Sequence, residues 1–314
     1  MNDSPSRPPV ILLMGPTASG KTELACRLSE QYPIDLVSVD SALVYRGMNI
    51  GTAKPDAETL RSFPHRLVDI RDVGEAYSVA DFRDDALREM QAITAAGRVP
   101  LLVGGTGLYF RALERGLSAL PRADAALRQQ LVSEAAQHGW SHLHEQLGDL
   151  DPLAAARIKP GDSQRIQRAL EVIALTGRTL SAQHGCARAR IPFRVLKLAL
   201  LPTDRAPLHA RIAMRFDDML EGGFLDELRY LQESAGHLGD AAALRAVGYR
   251  QGMAFLAGIN TLAEFRDRAI FATRQLAKRQ ITWIRSELDA RTFDPHVSDL
   301  SARLASAVGS FLGS

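Results

Sequence analysis

The sequence predicts an α/β fold, in which a parallel sheet core carries a phosphate-binding loop and a helical domain is inserted into that core. The first observation behind this prediction is the run Gly15-Pro16-Thr17-Ala18-Ser19-Gly20-Lys21-Thr22, which lies between an apolar stretch at 10–14 and a helical pattern. The second is that short apolar runs alternate with helical patterns before residue 120 and resume near residue 194. Because such alternation is typical of a parallel sheet, we expect a P-loop NTPase-like core.

The run from Gly15 to Thr22 also predicts the class of ligand. In a loop between a strand and a helix, glycines let backbone N–H groups turn toward phosphate oxygens. A lysine such as Lys21 reaches the phosphates, and a hydroxyl such as that of Thr22 can ligate magnesium. The protein is therefore predicted to bind a polyphosphate or a diphosphate, although the loop alone does not say to which molecule those phosphates belong.

A second buried strand is predicted over residues 34–39, and it ends at Asp40 and Ser41. Because the carboxyl ends of parallel strands border the ligand crevice, we expect Asp40 to lie near the phosphate-binding loop. The residues alone leave open two uses for a carboxylate at this place, which are holding magnesium through water and accepting a proton.

Two more strands are predicted before residue 116. Residues 65–70 form the third, and His65 at its start suits either a structural hydrogen bond or a ligand contact. Residues 99–103 form the fourth, and a second glycine turn, 104–107, follows it. That turn is either a plain tight turn or one that presents the Thr106 hydroxyl to the crevice.

Residues 120–191 contain several amphipathic helical patterns and no convincing strand, which predicts a helical insertion. One helix is delimited by a cap at 160–163 and by Gly177. Its first turns carry Gln164, Arg165 and Arg168. These residues suit either a solvated surface or contact with a phosphate backbone. A basic loop at 185–190 then leads back to the sheet.

After residue 194 the chain returns to the core with a strand and further helices. A helix over 208–220 places Arg211 and Arg215 four residues apart, and so on one face. The segment 245–250 combines two arginines, a glycine and a tyrosine, which suits stacking on an unpaired base as well as a packed turn.

The last long helix, about 262–288, has an uneven charge. Its cations are Arg266, Arg268, Arg274, Lys278, Arg279 and Arg285. Arg274, Lys278 and Arg285 lie within about 40° of one another around the helix axis. Because like charges on one stripe repel each other, this face is predicted to bind a nucleic-acid backbone. The tail after His296 is predicted to be a weak helix without an evident role.

Composition restricts the remaining possibilities. Hydrophobic residues make up 46% of the 314 residues, charged residues 24%, and the formal net charge is +2, as in ordinary soluble proteins. The two cysteines, Cys26 and Cys186, are far apart in the sequence, which suits free thiols in a reducing cytoplasm. The polar N-terminus resembles neither a signal peptide nor a membrane span.

Seven sequence blocks together resemble the tRNA dimethylallyltransferase family of the bacterial type. They are GPTASGKT from Gly15, DSALVYRGMNIGTAKP from Asp40, PHRLVD from Pro64, LLVGGTGLY from Leu101, QRIQRALEV from Gln164, RAVGYRQ from Arg245 and KRQITWIR from Lys278. The family often has a histidine where Arg66 stands and a bulkier polar residue where Gly161 stands. The chain also lacks the zinc-finger cysteines of eukaryotic relatives.

The resemblance implies transfer of a dimethylallyl group from dimethylallyl diphosphate to the exocyclic N6 amine of the adenosine beside the anticodon. It implies that Asp40 accepts the proton, that Thr106 positions the base, and that Lys21 assists catalysis. The diphosphate site would consist of Gly15 to Thr22 with Arg215, and Thr22 would ligate Mg²⁺. The implied RNA contacts are Asp40, Ser41, Ala42, Leu43, Thr106, Arg128, Gln164, Arg165, Ile166, Gln167, Arg168, Arg245, Ala246, Val247, Gly248, Tyr249, Arg250, Lys278, Arg279, Gln280, Ile281, Thr282, Trp283, Ile284 and Arg285.

These observations lead to one main hypothesis and two competing ones. The main one is a cytoplasmic, monomeric tRNA-modifying enzyme, with a catalytic core at 1–119 and 192–314 and an RNA-contacting helical domain at 120–191. The second is an ATP-dependent small-molecule kinase, for which Asp69 is the candidate magnesium-binding acid. The third is a phosphate-loop protein that binds RNA without catalysing a reaction.

Overall fold

The computed structural model describes residues 7–118, 120–183, 191–234 and 241–313. Contacts between residues divide the chain into two compact units, one made of Met1–Leu113 with Pro192–Ser314 and the other of Glu114–Ile191. The sequence analysis placed the first limit six residues later, near residue 119, and the second at the same place. The basic loop predicted at 185–190 and Cys186 lie outside the described residues.

The larger unit is built on one six-stranded sheet in which every pairing is parallel, as predicted. Its strands are β1 (Pro9–Met14), β2 (Ile34–Val39), β3 (His65–Arg66), β4 (Val99–Gly104), β5 (Arg194–Leu200) and β6 (Arg291–Phe293). They lie in the order β3-β2-β4-β1-β5-β6. The third strand is shorter than predicted, because Leu67 and Asp69 have left-handed φ angles of 63° and 55°, which end the extended backbone.

The register of the three central strands places the predicted site residues side by side. Met14 of β1 and Val39 of β2 are both paired with Gly104 of β4. The phosphate-binding loop, Asp40 and the second glycine turn therefore all begin at the same row of the sheet. Because neighbouring strands are about 4.8 Å apart, the starts of the first two segments are separated by about 10 Å.

Helices cover the sheet and form a second core in this unit. They are α1 (Lys21–Gln31), α2 (Ala57–Ser62), α3 (Val79–Ala95), α4 (Gly107–Arg115, which continues into the smaller unit), α10 (Ala206–Glu221), α11 (Phe224–Ser234), α12 (Tyr249–Leu256), α13 (Leu262–Ile284) and α14 (Leu300–Leu312), numbered along the whole chain. A single 3₁₀ turn spans Ala242–Arg245. Phe216, Phe224 and Phe265 bring α10, α11 and α13 together in the second core.

The C-terminal helix has a structural role that the sequence analysis missed. Leu300, Leu304 and Val308 of α14 are buried in the core cluster that also contains β1 and α1. The Tyr32 hydroxyl, at the end of α1, donates a hydrogen bond to the Ala305 carbonyl over 2.7 Å. Because its apolar face covers part of the sheet core, the helix contributes to stability although its composition gives a weak signal.

The described residues of the smaller unit form helices joined by loops, without a strand, as predicted for the insertion. Its helices are α5 (Ala125–His138), α6 (Trp140–Leu150), α7 (Pro152–Ala155), α8 (Ser163–Thr176) and α9 (Leu180–Gln183). They share a core that includes Leu143, Leu147 and Ile166. The Asp162 side chain caps α8 by accepting a hydrogen bond from the Arg165 N–H, as the capping pattern predicted.

The described part of the chain contains no helix that is both long enough and apolar enough to span a membrane. Cys26 is a free thiol buried in the sheet core.

Candidate active site

Three turns meet at the carboxyl edge of the sheet, and hydrogen bonds join them. The Gly15 N–H donates to the Gly104 carbonyl over 3.2 Å, and the Thr106 N–H donates to the Val39 carbonyl over 3.3 Å. The Thr106 hydroxyl accepts from the Ser41 N–H over 3.3 Å. Thr106 thus lies beside the segment that contains Asp40, which favours the alternative in which the turn presents this hydroxyl to the crevice.

The phosphate-binding loop has the backbone shape that its sequence predicts. Gly20 caps α1 with a left-handed φ of 82°, and Ala18 also has a positive φ, of 61°. The buried Ser19 hydroxyl makes no hydrogen bond within the described residues. A Cβ atom at position 15 would lie 2.6 Å from the oxygen of this hydroxyl, which is too close, so only glycine fits at this position. A buried polar atom without a partner is costly, and a bound anion would satisfy it.

Charges of both signs converge on this loop. The pKa of Lys21 is lowered to about 8, chiefly because burial desolvates its ammonium group. The Asp40 carboxylate opposes this change, and nearby Arg215 adds to it. Burial also lowers the pKa of Arg215, and Asp40 again opposes that change. The three groups therefore lie close enough to interact electrostatically. Two desolvated cations beside one carboxylate leave a net positive site that suits a diphosphate.

Helix α10 supplies both arginines predicted from their spacing, and each reaches a backbone carbonyl. Arg211 donates to the Ala18 carbonyl of the phosphate-binding loop over 3.0 Å. Arg215 donates to the Thr52 carbonyl over 3.4 Å. Asp40 is itself held in place, because its Oδ1 accepts from the Ala42 N–H over 2.9 Å.

Glu227 of α11 is a positioning residue that the sequence analysis missed. Its carboxylate accepts hydrogen bonds from the N–H groups of Asn49, Ile50 and Gly51 over 2.8, 2.7 and 3.1 Å. It also accepts one from the Tyr249 hydroxyl over 2.6 Å. The carboxylate thus fixes the turn at 49–51. The carbonyl of the next residue, Thr52, accepts the hydrogen bond from Arg215. No local signal identifies it, because a glutamate early in an amphipathic helix is usual.

Replacing Glu227 should therefore destabilise the fold more than replacing the tyrosine that it binds. In Glu227→Ala, four donors lose their acceptor, and we expect the free energy of unfolding to fall by about 2 to 4 kcal/mol. Tyr249→Phe removes one donor and should cost about 1 kcal/mol. Urea titration of both variants measures the difference, and equal costs would contradict the role given to the carboxylate.

Tyr249 settles one of the alternatives left open by the sequence. Its side chain is fully buried, with its ring at 83° to the ring of Phe224 and 5.2 Å from it. The segment 245–250 is therefore a packed turn, and stacking of this ring on a base does not fit the structure. Arg245 and Arg250, at either end of the segment, are exposed.

Helix α13 has the two faces predicted for it, but the residues of its KRQITWIR block have different surroundings. Lys278, Arg279, Thr282 and Arg285 are exposed. Ile281 and Ile284 are buried inside the protein, so their side chains cannot contact RNA. Gln280 is directed at the phosphate-binding loop, and its Oε1 accepts from the Thr17 N–H over 2.8 Å. The expectation of direct side-chain contact with RNA is therefore wrong for the two isoleucines, and for the half-buried Gln280 it stays a prediction.

The cations predicted in the insertion are also not equivalent. Arg128 and Arg168 both donate to the fully buried Glu171 carboxylate, over 2.8 and 2.6 Å. Gln164 and Arg165 are exposed, which leaves them accessible to a phosphate backbone. Ile166 is buried in the helical core and cannot meet RNA through its side chain. Gln167 donates to the Arg128 carbonyl over 3.1 Å, so these segments are joined to each other.

Asp69, the candidate magnesium-binding acid of the kinase hypothesis, already has a partner in the structure. The Asp69 carboxylate forms an ion pair with Lys54, whose side chain is only 3% exposed. Lys54 also donates to the Tyr45 carbonyl over 2.8 Å. Asp69 is thus part of a structural contact. His65 is half-buried, and its Nδ1 lies 2.7 Å from the Phe63 carbonyl, which fits the structural alternative for this residue.

Comparison with known proteins decides the family. Residues 43–287 match the family model described as IPP transferase, which is more than half of the chain. The chain belongs to the IPP transferase family. It is 57% identical over 308 residues to a tRNA dimethylallyltransferase of Thiobacillus denitrificans, with 98% of each protein covered. The assignment made from the seven sequence blocks is therefore confirmed.

Solved structures of IPP transferases have the same fold as this chain. The tRNA isopentenylpyrophosphate transferase of Bacillus halodurans is 35% identical, with a TM-score of 0.72 and coverage of 98% of this chain and 97% of that one. A eukaryotic dimethylallyltransferase acting on tRNA is 25% identical, with a TM-score of 0.81 and coverage of 98% and 80%. The predicted P-loop NTPase-like core is thus confirmed, and the kinase alternative is not supported.

Proposed function

We propose that this IPP transferase moves a dimethylallyl group from dimethylallyl diphosphate to the exocyclic N6 amine of the adenosine 3′ to the anticodon of tRNA. The observation that carries the proposal is the convergence of Lys21, Arg215 and Asp40 at one edge of the sheet. Two cations can stabilise the negative charge of a departing diphosphate, and a carboxylate beside them can accept the proton that the amine loses.

The leaving group accounts for the phosphate-binding loop. When the bond between the allylic carbon and its oxygen breaks, negative charge grows on the diphosphate. Backbone N–H groups from Ala18 to Thr22, together with the side chains of Lys21 and Arg215, would stabilise that charge. The N–H groups of Gly15 and Thr17 already donate to Gly104 and Gln280. No nucleotide needs to be hydrolysed, so a loop common in nucleotide-binding proteins here holds a prenyl diphosphate.

The amine accounts for Asp40 and Thr106. An exocyclic amine on a purine is a weak nucleophile, because its lone pair is delocalised into the ring. As its nitrogen bonds to the allylic carbon, it loses a proton, which Asp40 accepts. The Thr106 hydroxyl, which accepts a hydrogen bond from the N–H of the residue after Asp40, would orient the adenine.

Magnesium fits the residues at the loop. The Thr22 hydroxyl is the ligand that the loop offers, and hard oxygen ligands are those that Mg²⁺ prefers. The buried Ser19 hydroxyl, which has no hydrogen-bond partner within the described residues, is a further polar oxygen at this loop and supports the proposal. When bound at Thr22, the ion would supply positive charge to the diphosphate oxygens.

RNA binding is assigned to exposed cations of the chain. The target base is stacked in the anticodon loop, so it must turn out of the stack at a free-energy cost of a few kcal/mol. Contacts between cations and RNA phosphates offset that cost. Exposed candidates are Arg165 of α8, Arg245 and Arg250 of the packed turn, and Lys278, Arg279 and Arg285 on α13. The monomeric state and the cytoplasmic location remain predictions.

Removing two of these cations should weaken RNA binding in a salt-dependent manner. In a Lys278→Ala/Arg285→Ala double variant, we expect the slope of log K against log salt to flatten by about 1.5, because two phosphate contacts are lost. Arg266→Ala is the matched control, since Arg266 on the same helix is paired with Asp217 over 2.6 and 2.7 Å. An unchanged slope in the double variant would exclude this face as the contact.

The activity itself is tested with purified protein, dimethylallyl diphosphate, magnesium and an anticodon stem-loop whose sequence includes the adenosine. Mass analysis of the digested nucleosides should show an adenosine heavier by one dimethylallyl group in place of a proton, and diphosphate should appear in equal amount. Turnover of ATP without modification of the RNA would instead favour the kinase. Binding of RNA without either reaction would favour a protein that lacks catalysis.

A further inference from the structure

Gln280 connects the two glycine turns of the site through both ends of one carboxamide. Its Oε1 accepts from the Thr17 N–H of the phosphate-binding loop over 2.8 Å. Its Nε2 donates to the Gly105 carbonyl over 3.1 Å. A carboxamide carries its acceptor and its donors on two different atoms, and glutamine has a greater reach than asparagine.

Two of the three glycines of the second turn, at positions 105 and 107, are explained by the same helix. A Cβ atom at position 105 would lie closer than 3.0 Å to the Gln280 Nε2, and one at position 107 closer than 3.0 Å to the ring of Trp283. The Trp283 ring also stacks on Phe110 of α4, with centroids 5.6 Å apart. The turn lacks side chains there because α13 packs directly against it, which the sequence pattern alone did not indicate.

The contacts of Gln280 complete a continuous path from the phosphate-binding loop to the carboxylate. Gly105 is followed by Thr106, whose N–H donates to the Val39 carbonyl over 3.3 Å. The Thr106 hydroxyl accepts from the Ser41 N–H over 3.3 Å, and Asp40 lies between those two residues in the chain. One side chain of α13 thereby links the segment that would hold the leaving group to the segment that would hold the base.

We infer that Gln280 is a positioning residue for the transfer reaction, one that fixes the separation between the diphosphate cradle and the Asp40–Thr106 segment. The inference rests on the proposed function. Gln280 touches neither substrate; it aligns the two backbone turns whose groups do. Because misplacement of reacting groups by about 1 Å can cost about 100-fold in rate, loss of this link reduces turnover more than binding.

The test uses Gln280→Met, which keeps the approximate volume of the side chain but removes both hydrogen bonds. We expect kcat for transfer to fall by about 30- to 100-fold, with the KM for dimethylallyl diphosphate and for the stem-loop each changing by less than about threefold. Gln275→Met, the same change on a half-buried residue of the same helix, should leave both parameters near wild type. Melting temperatures of the two variants identify any general loss of folding.

A second pair of variants tests the contact if Gln280→Met is unstable. Gly105→Ala forces a Cβ against the carboxamide and should lower kcat. Adding Gly105→Ala to Gln280→Ala should lower kcat far less, because the remaining close atom, the Gly15 carbonyl oxygen, is 3.1 Å from that Cβ. A higher KM for the stem-loop with unchanged kcat would overturn the inference and make Gln280 an RNA contact. Additive losses in the double variant would also overturn it. Absence of transfer by the wild-type protein would instead refute the proposed function.

Discussion

Asp40→Asn is expected to lower the rate of dimethylallyl transfer by about 10²- to 10⁴-fold, since an amide cannot accept the proton that the amine loses. The asparagine Oδ1 keeps the hydrogen bond that Asp40 accepts from the Ala42 N–H, so the turn should hold its shape. Affinity for the anticodon stem-loop should change by less than about threefold. Single-turnover transfer and equilibrium RNA binding on the same preparation measure both quantities.

The choice of pH matters for this experiment. The Asp40 carboxylate raises the pKa of Lys21, so its removal lets that pKa fall below about 8. At pH 8 the variant would then lose part of the positive charge at the diphosphate site as well as the base. Measurements at pH 6.5, which is below the pKa of about 8 in the wild-type protein, reduce this second effect and emphasise the loss of the base. If transfer there stays within tenfold of wild type, Asp40 is not the base.

The sequence was sufficient to predict the elements that depend on local pattern. The buried strands are recognisable as apolar runs, and the rule that ligands bind at the carboxyl ends of parallel strands placed Asp40 near the phosphate-binding loop. The row formed by Met14, Gly104 and Val39 and the position of Thr106 required the strand order, which the structure supplies. The helical insertion was also predictable, since amphipathic helices without strands leave a clear period in the sequence.

What could not be predicted depends on contacts between distant segments. Glu227 and Asn49 are separated by 178 positions, and Gln280 and Thr17 by 263. Neither polar side chain has a local pattern that reveals its partner. Buried pairing also changed the interpretation of Arg128 and Arg168, because cations that look free in the sequence are held by the carboxylate of Glu171. Charge on a helix face therefore overestimates the number of cations available to RNA.

The second large effect is expected at Lys21. Desolvation of this lysine determines the direction in which diphosphate affinity changes with pH. The free protein holds the lysine with a pKa of about 8, below the ordinary 10.5, because burial disfavours its charge. Below pH 8 the cation is present and binds diphosphate. Above pH 8 it must first take up a proton, so the affinity for magnesium diphosphate should fall by up to tenfold per pH unit.

Lys21→Arg is the matched control, because arginine keeps its charge throughout this range. Diphosphate itself titrates, so the quantity to compare is the ratio of the two proteins' affinities at each pH, measured by calorimetry from pH 6.5 to 9.5. The ratio should be constant up to about pH 7.5 and then move in favour of arginine. A ratio that is constant over the whole range would contradict a lowered pKa at Lys21.

Lys21→Met separates binding from stability. Removing the cation should weaken diphosphate binding by about 100-fold and reduce transfer at least as much, since a charge-assisted contact with the leaving group is lost. The same change should raise the free energy of unfolding at pH 7 by about 1 to 3 kcal/mol, because the folded protein no longer desolvates a charge. That gain should disappear as the pH rises from 8 to 10.5, since the wild-type lysine is neutral in the folded state there and folding releases its proton. A variant that binds poorly and is also less stable at pH 7 would show that the lysine supports the fold, and not only the ligand.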